Sequence, residues 1–222
     1  MLSLPSEFRT PPAYTEESDQ IIVAQKSDWS KRLFDLVMAG LVIVFVLSWL
    51  IPLIGIAIRI NSSGPILFIQ MRTGRNGRIF RCFKFRTMTY ERNATFKQAV
   101  KNDSRITVTG SFLRRTNLDE MPQFLNVVLG DMSIVGPRPH PIQLDAQFWD
   151  SMAGYRERYS VKPGITGLAQ VRGCRGETRD WIDMEHRVRF DHFYIRKRSL
   201  VMDMKICWWT VLKMVQGDKK AF

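Results

Sequence analysis

The chain has 222 residues, enough for one domain with a hydrophobic core and too few for two large domains. Its 33 lysine and arginine residues against 21 acidic ones give a formal charge of +12, which suits anionic partners such as phospholipid head groups, nucleotides or nucleic acid. The three cysteines, Cys82, Cys174 and Cys207, are odd in number and form no CxxC pattern, so the sequence indicates neither a disulfide framework nor a zinc site.

The N-terminal part contains a polar tail followed by one long apolar run. Residues 1–26 carry scattered prolines without periodicity, and we expect a flexible tail there. Leu36 to Ile58 then runs for 23 residues without a charge. A straight helix of that length reaches about 35 Å, against about 30 Å for the hydrocarbon core of a bilayer. We therefore predict a membrane segment over residues 27–60, with a buried core helix as the alternative.

The path of this segment through the bilayer is indicated by its proline and its flanking charges. Pro52 cannot donate a backbone hydrogen bond to the carbonyl of Ser48, so a kink is expected there. Basic residues lie on both sides of the run, so the positive-inside rule marks neither end as the outer one. These features predict a re-entrant helix that bends between Ser48 and Pro52 and returns to the same face. An ordinary span kinked by proline is the alternative.

A β-hairpin is predicted after the apolar run. Two apolar stretches, Ile66 to Met71 and Ile79 to Phe85, flank Asn76-Gly77, a dipeptide typical of hairpin turns. Strand alternation predicts which side chains of the second stretch face the core. The inward residues are Phe83 and Phe85, and the outward residues are Lys84 and Arg86. Residues 90–104 are predicted as a polar helix or loop.

An adjacent pair of carboxylates, Asp119 and Glu120, is the main candidate for chemistry. Apolar residues recur at helical spacing from Asn117 to Leu129, and a helix beginning near Asn117 or Asp119 would direct free backbone N–H groups at a phosphate. Phosphoryl transfer also needs fixed guanidinium groups, which Arg114 and Arg138 supply nearby in the sequence. The alternative is that the acidic pair merely favours a helix N-terminus.

Two further helices are predicted toward the C-terminus. A charged helix covers Arg179 to Arg196, and apolar residues at steps of three and four predict another from Leu200 to Val215. The second suits either the membrane interface or the surface of the core, and it separates residues 200–222 from a catalytic domain over 61–199. Proline- and glycine-rich loops are predicted at Gly136 to Pro141 and at Lys162 to Gly167.

Several common functional motifs are absent from the sequence. His140, His186 and His192 lack HExxH or comparable ligand spacing, which argues against catalytic zinc. No GxxxxGK[ST] loop or GxGxxG fingerprint occurs, so the common ATPase and dinucleotide-binding classes are excluded. No recognisable nucleic-acid module occurs either, and we expect anionic lipid rather than nucleic acid beside the basic residues.

Five motifs follow one another over most of the chain. They are KRLFDL at 31–36, GPILFIQMRTGRNGRIFRCFKFRTM at 64–88, LDEMPQ at 118–123, GDMSIVGPRP at 130–139 and KPGITG at 162–167. Together they resemble the bacterial sugar transferase family, the monotopic polyprenyl-phosphate phosphoglycosyl transferases, over about residues 27–222. The stretches GLAQVRGCRGET at 167–178 and RVRFDHFYIRKRS at 187–199 look closest to members that use UDP-glucose or UDP-galactose for exopolysaccharide synthesis.

The resemblance implies an α/β fold, with a small cytoplasmic catalytic domain, a re-entrant membrane helix and interfacial amphipathic helices. It implies transfer of a hexose-1-phosphate from a UDP-sugar to undecaprenyl phosphate at the bacterial inner membrane, with glucose preferred to galactose. Asp119 would form a covalent phosphosugar, and Glu120 would assist it and hold Mg²⁺. The implied phosphate contacts are Arg114, Arg138, Lys84 and Arg86. Membrane phospholipid is an expected partner, and a homo-oligomer is compatible with the resemblance.

Two positions depart from the family's pattern. The family often has adjacent serine and proline at the helix break, whereas Ser48 and Pro52 are four residues apart, and Asn117 replaces a serine two residues before the expected nucleophile.

Two other functions are alternatives to the enzyme. A non-catalytic basic membrane-anchored scaffold explains the charge, the apolar run and the tail but not the motif set. The second alternative, a membrane-linked nucleic-acid binder, predicts tight and salt-sensitive binding of DNA or RNA.

Overall fold

The computed structural model describes residues 29–91, 99–100, 103–174 and 181–216, in which helices are mixed with two small sheets. The tail predicted over 1–26 and most of the polar stretch predicted over 90–104 lie outside these residues. The α-helices are α1 (Trp29–Val42), α2 (Ser48–Asn61), α3 (Val108–Thr116), α4 (Gln123–Leu129), α5 (Ile142–Phe148), α6 (Leu168–Val171), α7 (Trp181–Lys197) and α8 (Leu200–Gln216). The strands are β1 (Leu67–Thr73), β2 (Ile79–Phe85), β3 (Ser133–Val135) and β4 (Gly164–Thr166).

The first helix is long and apolar. α1 and α2 are joined by a π-helical turn at Ile43–Leu47, and the resulting 33-residue helix reaches a mean hydropathy of 2.8 in its most apolar window. By length and composition this helix could cross a membrane. Many of its large apolar side chains are exposed, among them Val37, Leu41, Val44, Phe45, Trp49, Leu53, Ile56 and Ile60. The predicted apolar helix is therefore confirmed, and its re-entrant path stays a prediction.

The backbone of this helix is irregular close to the predicted bend. The π-helical turn lies directly before α2, and Pro52 lies in the second turn of α2, where its missing N–H leaves the Ser48 carbonyl without a helical partner. The Ser48 hydroxyl donates to the Val44 carbonyl at 2.7 Å. Local side-chain bonds of this kind satisfy backbone groups in an apolar environment, so the irregular segment is stable within the helix.

Charged side chains attach α1 to the rest of the protein. The ammonium group of Lys31 lies 3.0 Å from Asp35 and 2.9 Å from Asp203 of α8. Asp35 also accepts the backbone N–H of Ile134 in β3 at 3.0 Å. Arg32 donates to two carbonyls in the last turn of α4, at 2.7 and 3.2 Å. The basic residues that precede the apolar run therefore bind protein groups, which fixes the long helix to α4, β3 and α8.

The predicted hairpin is confirmed. β1 and β2 pair antiparallel from Leu67 with Phe85 to Thr73 with Ile79, and Asn76 and Gly77 adopt positive φ values of 57° and 75° in the turn. The predicted outward direction of Lys84 and Arg86 is wrong, because both are largely enclosed and Arg86 is only 4% exposed. The alternation rule fails since both faces of β2 are covered at this end. One face packs with the apolar cluster of α2 and the other with the main core.

The helix predicted from Asn117 to Leu129 is divided in the structure. α3 ends at Thr116, Asn117 takes the left-handed conformation with φ 58°, and a 3-10 turn covers Leu118–Glu120 before α4 begins at Gln123. Asn117 suits the left-handed region better than most residues. Pro122 cannot donate to the carbonyl of Leu118, four residues earlier, and this missing bond together with the left-handed Asn117 favours an interruption of the helix. The acidic pair consequently lies in a tight turn and not at the start of an α-helix.

A second, parallel sheet brings the two glycine-rich segments together. β3 pairs with β4, so Gly164–Thr166 is a strand where a loop was predicted. The backbones approach so closely that a Cβ on Gly164 would meet the Gly136 nitrogen at 2.1 Å, and one on Gly167 would meet the Gly136 oxygen at 2.2 Å. Glycine is therefore required at these contacts for steric reasons.

The two predicted C-terminal helices are confirmed as α7 and α8, within the described residues. α8 buries Met202 and Ile206 against the core, while its opposite face exposes large apolar side chains. The exposed residues are Val201, Met204, Trp208, Val211 and Met214. The helix thus packs on the core and also presents an apolar surface, so its packing on the core is confirmed and its place in the membrane interface stays a prediction.

Candidate active site

The acidic pair lies in a turn that packs against α2 of the long apolar helix. Leu118 and Met121, which flank the pair, pack against the apolar cluster formed by α2, Phe85 and Leu113. Asp119 is half-buried, and Glu120 is 7% exposed. The 3-10 turn thus places both carboxylates at the junction of the long apolar helix and the hairpin.

Glu120 is paired with two cations from distant parts of the chain. Lys84 of β2 lies 2.9 Å from its Oε1 atom. Arg138, from the loop after β3, donates from Nη1 to Oε2 at 2.9 Å and from Nη2 to Oε1 in a second, short bond. This two-pronged contact holds the guanidinium in a fixed plane. Three sequence-predicted residues therefore meet here, although the two cations lie 36 and 18 residues from Glu120 in the chain.

Asp119 makes no hydrogen bond or ion pair through its side chain within the residues that the structure describes. Burial raises its pKa, and the neighbouring Glu120 carboxylate acts in the same direction, while Lys84 and Arg114 favour the charged form. A carboxylate that is close to cations but not bonded to them keeps its lone pairs accessible. This arrangement leaves the Asp119 oxygens available for chemistry, whereas the Glu120 oxygens are occupied by Lys84 and Arg138.

The cations around the pair outnumber the carboxylates. Burial lowers the pKa of Lys84, and the Glu120 carboxylate partly offsets this effect. Burial also acts to lower the pKa of Arg138, but the Glu120 carboxylate has the larger effect, so the pKa of Arg138 is raised. Arg114 and Arg72 add two more guanidinium groups that interact electrostatically with both carboxylates. Four cations against two carboxylates leave a positive excess. Such a site attracts a polyanion such as a diphosphate.

Arg114 and Arg86 differ in their relation to the pair. Arg114, in the last turn of α3, is partly buried and interacts electrostatically with Asp119 without a direct bond. Arg86 donates to the carbonyls of Ser62 at 2.8 Å and of Ser63 in a shorter bond. In the structure Arg114 therefore lies at the site, whereas Arg86 binds the segment that follows α2.

Arg72 is a site residue that the sequence argument did not select. Its Nη1 atom donates to the Pro139 carbonyl at 2.7 Å, and its Nε and Nη2 atoms donate to Gln70. Gln70 and Arg72 alternate with exposed apolar residues in β1, on the same strand face as Lys84. The sequence contains no signal for Arg72, because strand alternation places it on the same face as Lys84, the face that was predicted to point outward.

The donor groups can be compared with the needs of Mg²⁺. Among the described residues, no three His, Cys, Asp or Glu side chains are grouped for a metal ion. Mg²⁺ commonly takes one or two protein carboxylates and completes its octahedron with water and substrate phosphates. Asp119 and Glu120 fit that pattern, and Glu120 would share its oxygens between the ion and the two cations that now hold it.

Most of the chain is similar to known proteins. The family described as "Bacterial sugar transferase" matches residues 26–217. Two proteins named "UDP-glucose:undecaprenyl-phosphate glucose-1-phosphate transferase" are similar to this chain over 184 residues. The protein of Klebsiella pneumoniae is 46% identical and that of Escherichia coli (strain K12) is 47% identical. Each match covers 82% of this chain and 39% of the relative. The "Exopolysaccharide production protein PSS" of Rhizobium leguminosarum bv. phaseoli is 42% identical over 85% of this chain and 96% of its own. The chain thus spans about two fifths of the first two relatives and nearly all of the third.

Proposed function

Because the chain belongs to the bacterial sugar transferase family, we propose that it transfers a hexose-1-phosphate from a UDP-sugar to undecaprenyl phosphate and so initiates exopolysaccharide or capsule synthesis. Glucose is the preferred sugar, since the relatives from Klebsiella pneumoniae and Escherichia coli are named for UDP-glucose. Both relatives are much longer than this chain, so the activity is proposed for the part they share.

The observation that carries this proposal is the Asp119 carboxylate, which no described residue binds through a hydrogen bond or ion pair, beside the Lys84, Arg138 and Glu120 cluster. In the proposed first step an Asp119 oxygen attacks the phosphorus that bears the sugar. The bond from that phosphorus to the bridging oxygen breaks, and UMP leaves with the electron pair. The product is an acyl phosphate that carries the sugar.

In the second step an oxygen of undecaprenyl phosphate attacks the same phosphorus. The bond to Asp119 breaks, the carboxylate is regenerated, and the lipid diphosphate sugar is released. Arg138 and Lys84 stabilise the negative charge on the phosphoryl oxygens in both steps, because their positions are fixed before substrate arrives. Arg114 is a further phosphate contact in this proposal.

Mg²⁺ is proposed as the cofactor, held by Glu120 and by the diphosphate oxygens. When bound, it would neutralise charge on the diphosphate and ease departure of UMP. Glu120 would then orient Arg138 and the ion together. No nucleic acid is needed for any step.

We also propose that the long helix is re-entrant and that the catalytic part lies on the cytoplasmic face of the inner membrane. Support comes from the exposed apolar side chains of α1 and α2, the irregular turn before Pro52 and the exposed apolar face of α8, which would lie in the interface with phospholipid. Tags inserted at positions 10 and 100 should be accessible from the same side of sealed vesicles. Access from opposite sides would show an ordinary span.

The covalent step is tested with the full chain in detergent or nanodiscs. Asp119→Asn should abolish UMP release from UDP-glucose, and mass spectrometry of wild-type protein quenched before addition of lipid should find a phosphohexose on the Asp119 peptide. Asp183→Asn, at an exposed position of α7, is the matched control and should behave as wild type. Normal turnover by Asp119→Asn would exclude this nucleophile. Absence of UMP release from every UDP-sugar would favour a non-catalytic basic scaffold.

A further inference from the structure

The loop that carries Arg138 contains a run of carbonyl groups with few N–H partners. Proline occupies positions 137, 139 and 141, and proline has no N–H, so the loop has few N–H groups with which to satisfy its own carbonyls. In the structure four consecutive carbonyls each accept a hydrogen bond from elsewhere. The donors are Gly164 N to Pro137 at 2.9 Å, Arg158 Nη2 to Arg138 at 2.9 Å, Arg72 Nη1 to Pro139 at 2.7 Å and Thr73 N to His140 at 3.4 Å.

Arg158 differs from the other three donors because its whole side chain is enclosed. Its exposed fraction is 0% for the side chain, and the rings of Tyr155 and Tyr159 lie 5.3 and 5.5 Å from its guanidinium. Nε and Nη2 both donate to the Oδ2 atom of Asp191 in α7, at 3.1 and 2.8 Å. The remaining Nη1 atom faces His140, whose pKa is lowered by burial and by Arg158, so the imidazole is neutral. The bond from Nη2 to the Arg138 carbonyl therefore links Arg158 directly to a residue of the site.

We propose that Arg158, held by Asp191, is a positioning residue that fixes the main chain of Arg138 and thereby the place of the Arg138 guanidinium over Glu120. Arg138 has its backbone held by Arg158 and its side chain held by Glu120, so both ends of one residue are fixed. A guanidinium suits this role because its planar fork lets one nitrogen donate to Asp191 and to the Arg138 carbonyl at once. The inference rests on the proposed function, since it assigns to Arg138 the task of orienting the diphosphate.

The substitution Arg158→Lys tests the positioning role of Arg158 separately from its charge. Arg158→Lys keeps a cation opposite the buried Asp191 carboxylate, which avoids an unpaired buried charge, but a single ammonium cannot reproduce both sets of bonds. Arg156→Lys is the matched control, because Arg156 lies in the same 3-10 turn and is exposed, with its contacts to Trp149 and Asp150. Asp191→Asn is the second variant; it leaves Arg158 in place and weakens only its anchor, and it is used if Arg158→Lys does not fold.

The first measurement is a double-mutant cycle with Arg138→Lys, read as kcat/KM for UMP release from UDP-glucose. Arg158→Lys should lower kcat/KM by about tenfold in the wild-type background, the size expected for one lost hydrogen bond to a charged group. In the Arg138→Lys background the same change should cost less than about twofold, because the residue it acts through is already altered. Equal losses in both backgrounds would mean that Arg158 acts independently of Arg138, and the proposal would be overturned.

The second measurement does not depend on activity. Phenylglyoxal labels accessible arginine side chains, and the rate at which the unliganded full chain is labelled at Arg138 can be followed by peptide mass spectrometry. Arg158→Lys should increase the rate at Arg138 and leave the rate at Arg156 unchanged. An unchanged rate at Arg138 overturns the proposal. If the wild-type chain releases no UMP from any UDP-sugar, the proposed function fails, while the labelling result still decides whether Arg158 positions Arg138.

Discussion

Replacement of Glu120 by glutamine tests the ion cluster at the centre of the site. The change keeps the size of the side chain and removes the one charge that Lys84 and Arg138 share at 2.9 Å. Both cations are largely enclosed, and the change removes the carboxylate that is bonded to both, so only the unbonded Asp119 charge remains to offset them. Breaking a buried ion pair costs about 3 kcal/mol or more. For a chain of this length about 2–4 °C of Tm corresponds to each kcal/mol, so we expect Tm to fall by about 6–12 °C.

The assay is thermal unfolding of the full chain in detergent, followed by the fluorescence of its six tryptophans. Glu185→Gln is the matched control, because Glu185 forms a partly exposed pair with Arg189 four residues away and exposed pairs contribute at most about 1 kcal/mol. Pyrophosphate should raise the Tm of Glu120→Gln more than that of wild type, since the anion replaces the missing charge. A Tm within about 2 °C of wild type, or an equal response to pyrophosphate, would refute this account of the cluster.

Three further predictions concern the nucleophile, the metal and the glycine contacts. Burial raises the pKa of Asp119 above the usual 3.8, so its reactive carboxylate form is lost at a higher pH than for an exposed aspartate. We therefore expect kcat/KM for UMP release, measured on protein shown to be folded, to fall on the acid side at a pH above 3.8. A decline only below that pH would contradict the assignment of Asp119 as the nucleophile. Chelation of divalent cations should stop UMP release and added Mg²⁺ should restore it, whereas turnover in excess chelator would exclude the metal. Gly164→Ala should destabilise the chain by about 1–3 kcal/mol in thermal unfolding because the new Cβ meets the Gly136 nitrogen, while Gly40→Ala, with no atom within 4 Å of its new Cβ, should not; equal effects would show that the close approach does not matter.

Local signals in the sequence predict the elements that depend on neighbouring residues. Asn76-Gly77 identifies the hairpin because both residues accept positive φ, and the 23 uncharged residues from Leu36 identify the long helix because no water-exposed helix tolerates them. The acidic pair could be found for the same reason, since Asp119 and Glu120 are adjacent. These predictions needed no knowledge of the packing.

The parts that the sequence argument missed depend on long-range packing. The inward direction of Lys84 follows from cover on both faces of β2, by α2 and by the main core, and the alternation rule assumes that one face meets water. The division of the helix before Gln123 depends on the left-handed Asn117, which helical spacing alone does not reveal. Arg158 was not selected because nothing local links it to Arg138, 20 residues away in the chain.

The position of the 3-10 turn explains how one carboxylate can serve a soluble donor and a lipid acceptor in the proposed reaction. On one side, Leu118 and Met121 pack with the apolar cluster of α2, so Asp119 cannot move away from the long helix without exposing those side chains. On the other side, Glu120 is fixed by Lys84 and Arg138, whose loop is held in turn by Arg158. The apolar contacts set the distance from Asp119 to the long helix, and the polar contacts set its distance from Lys84 and Arg138. Because one three-residue turn meets both constraints, loosening either side should impair both half-reactions.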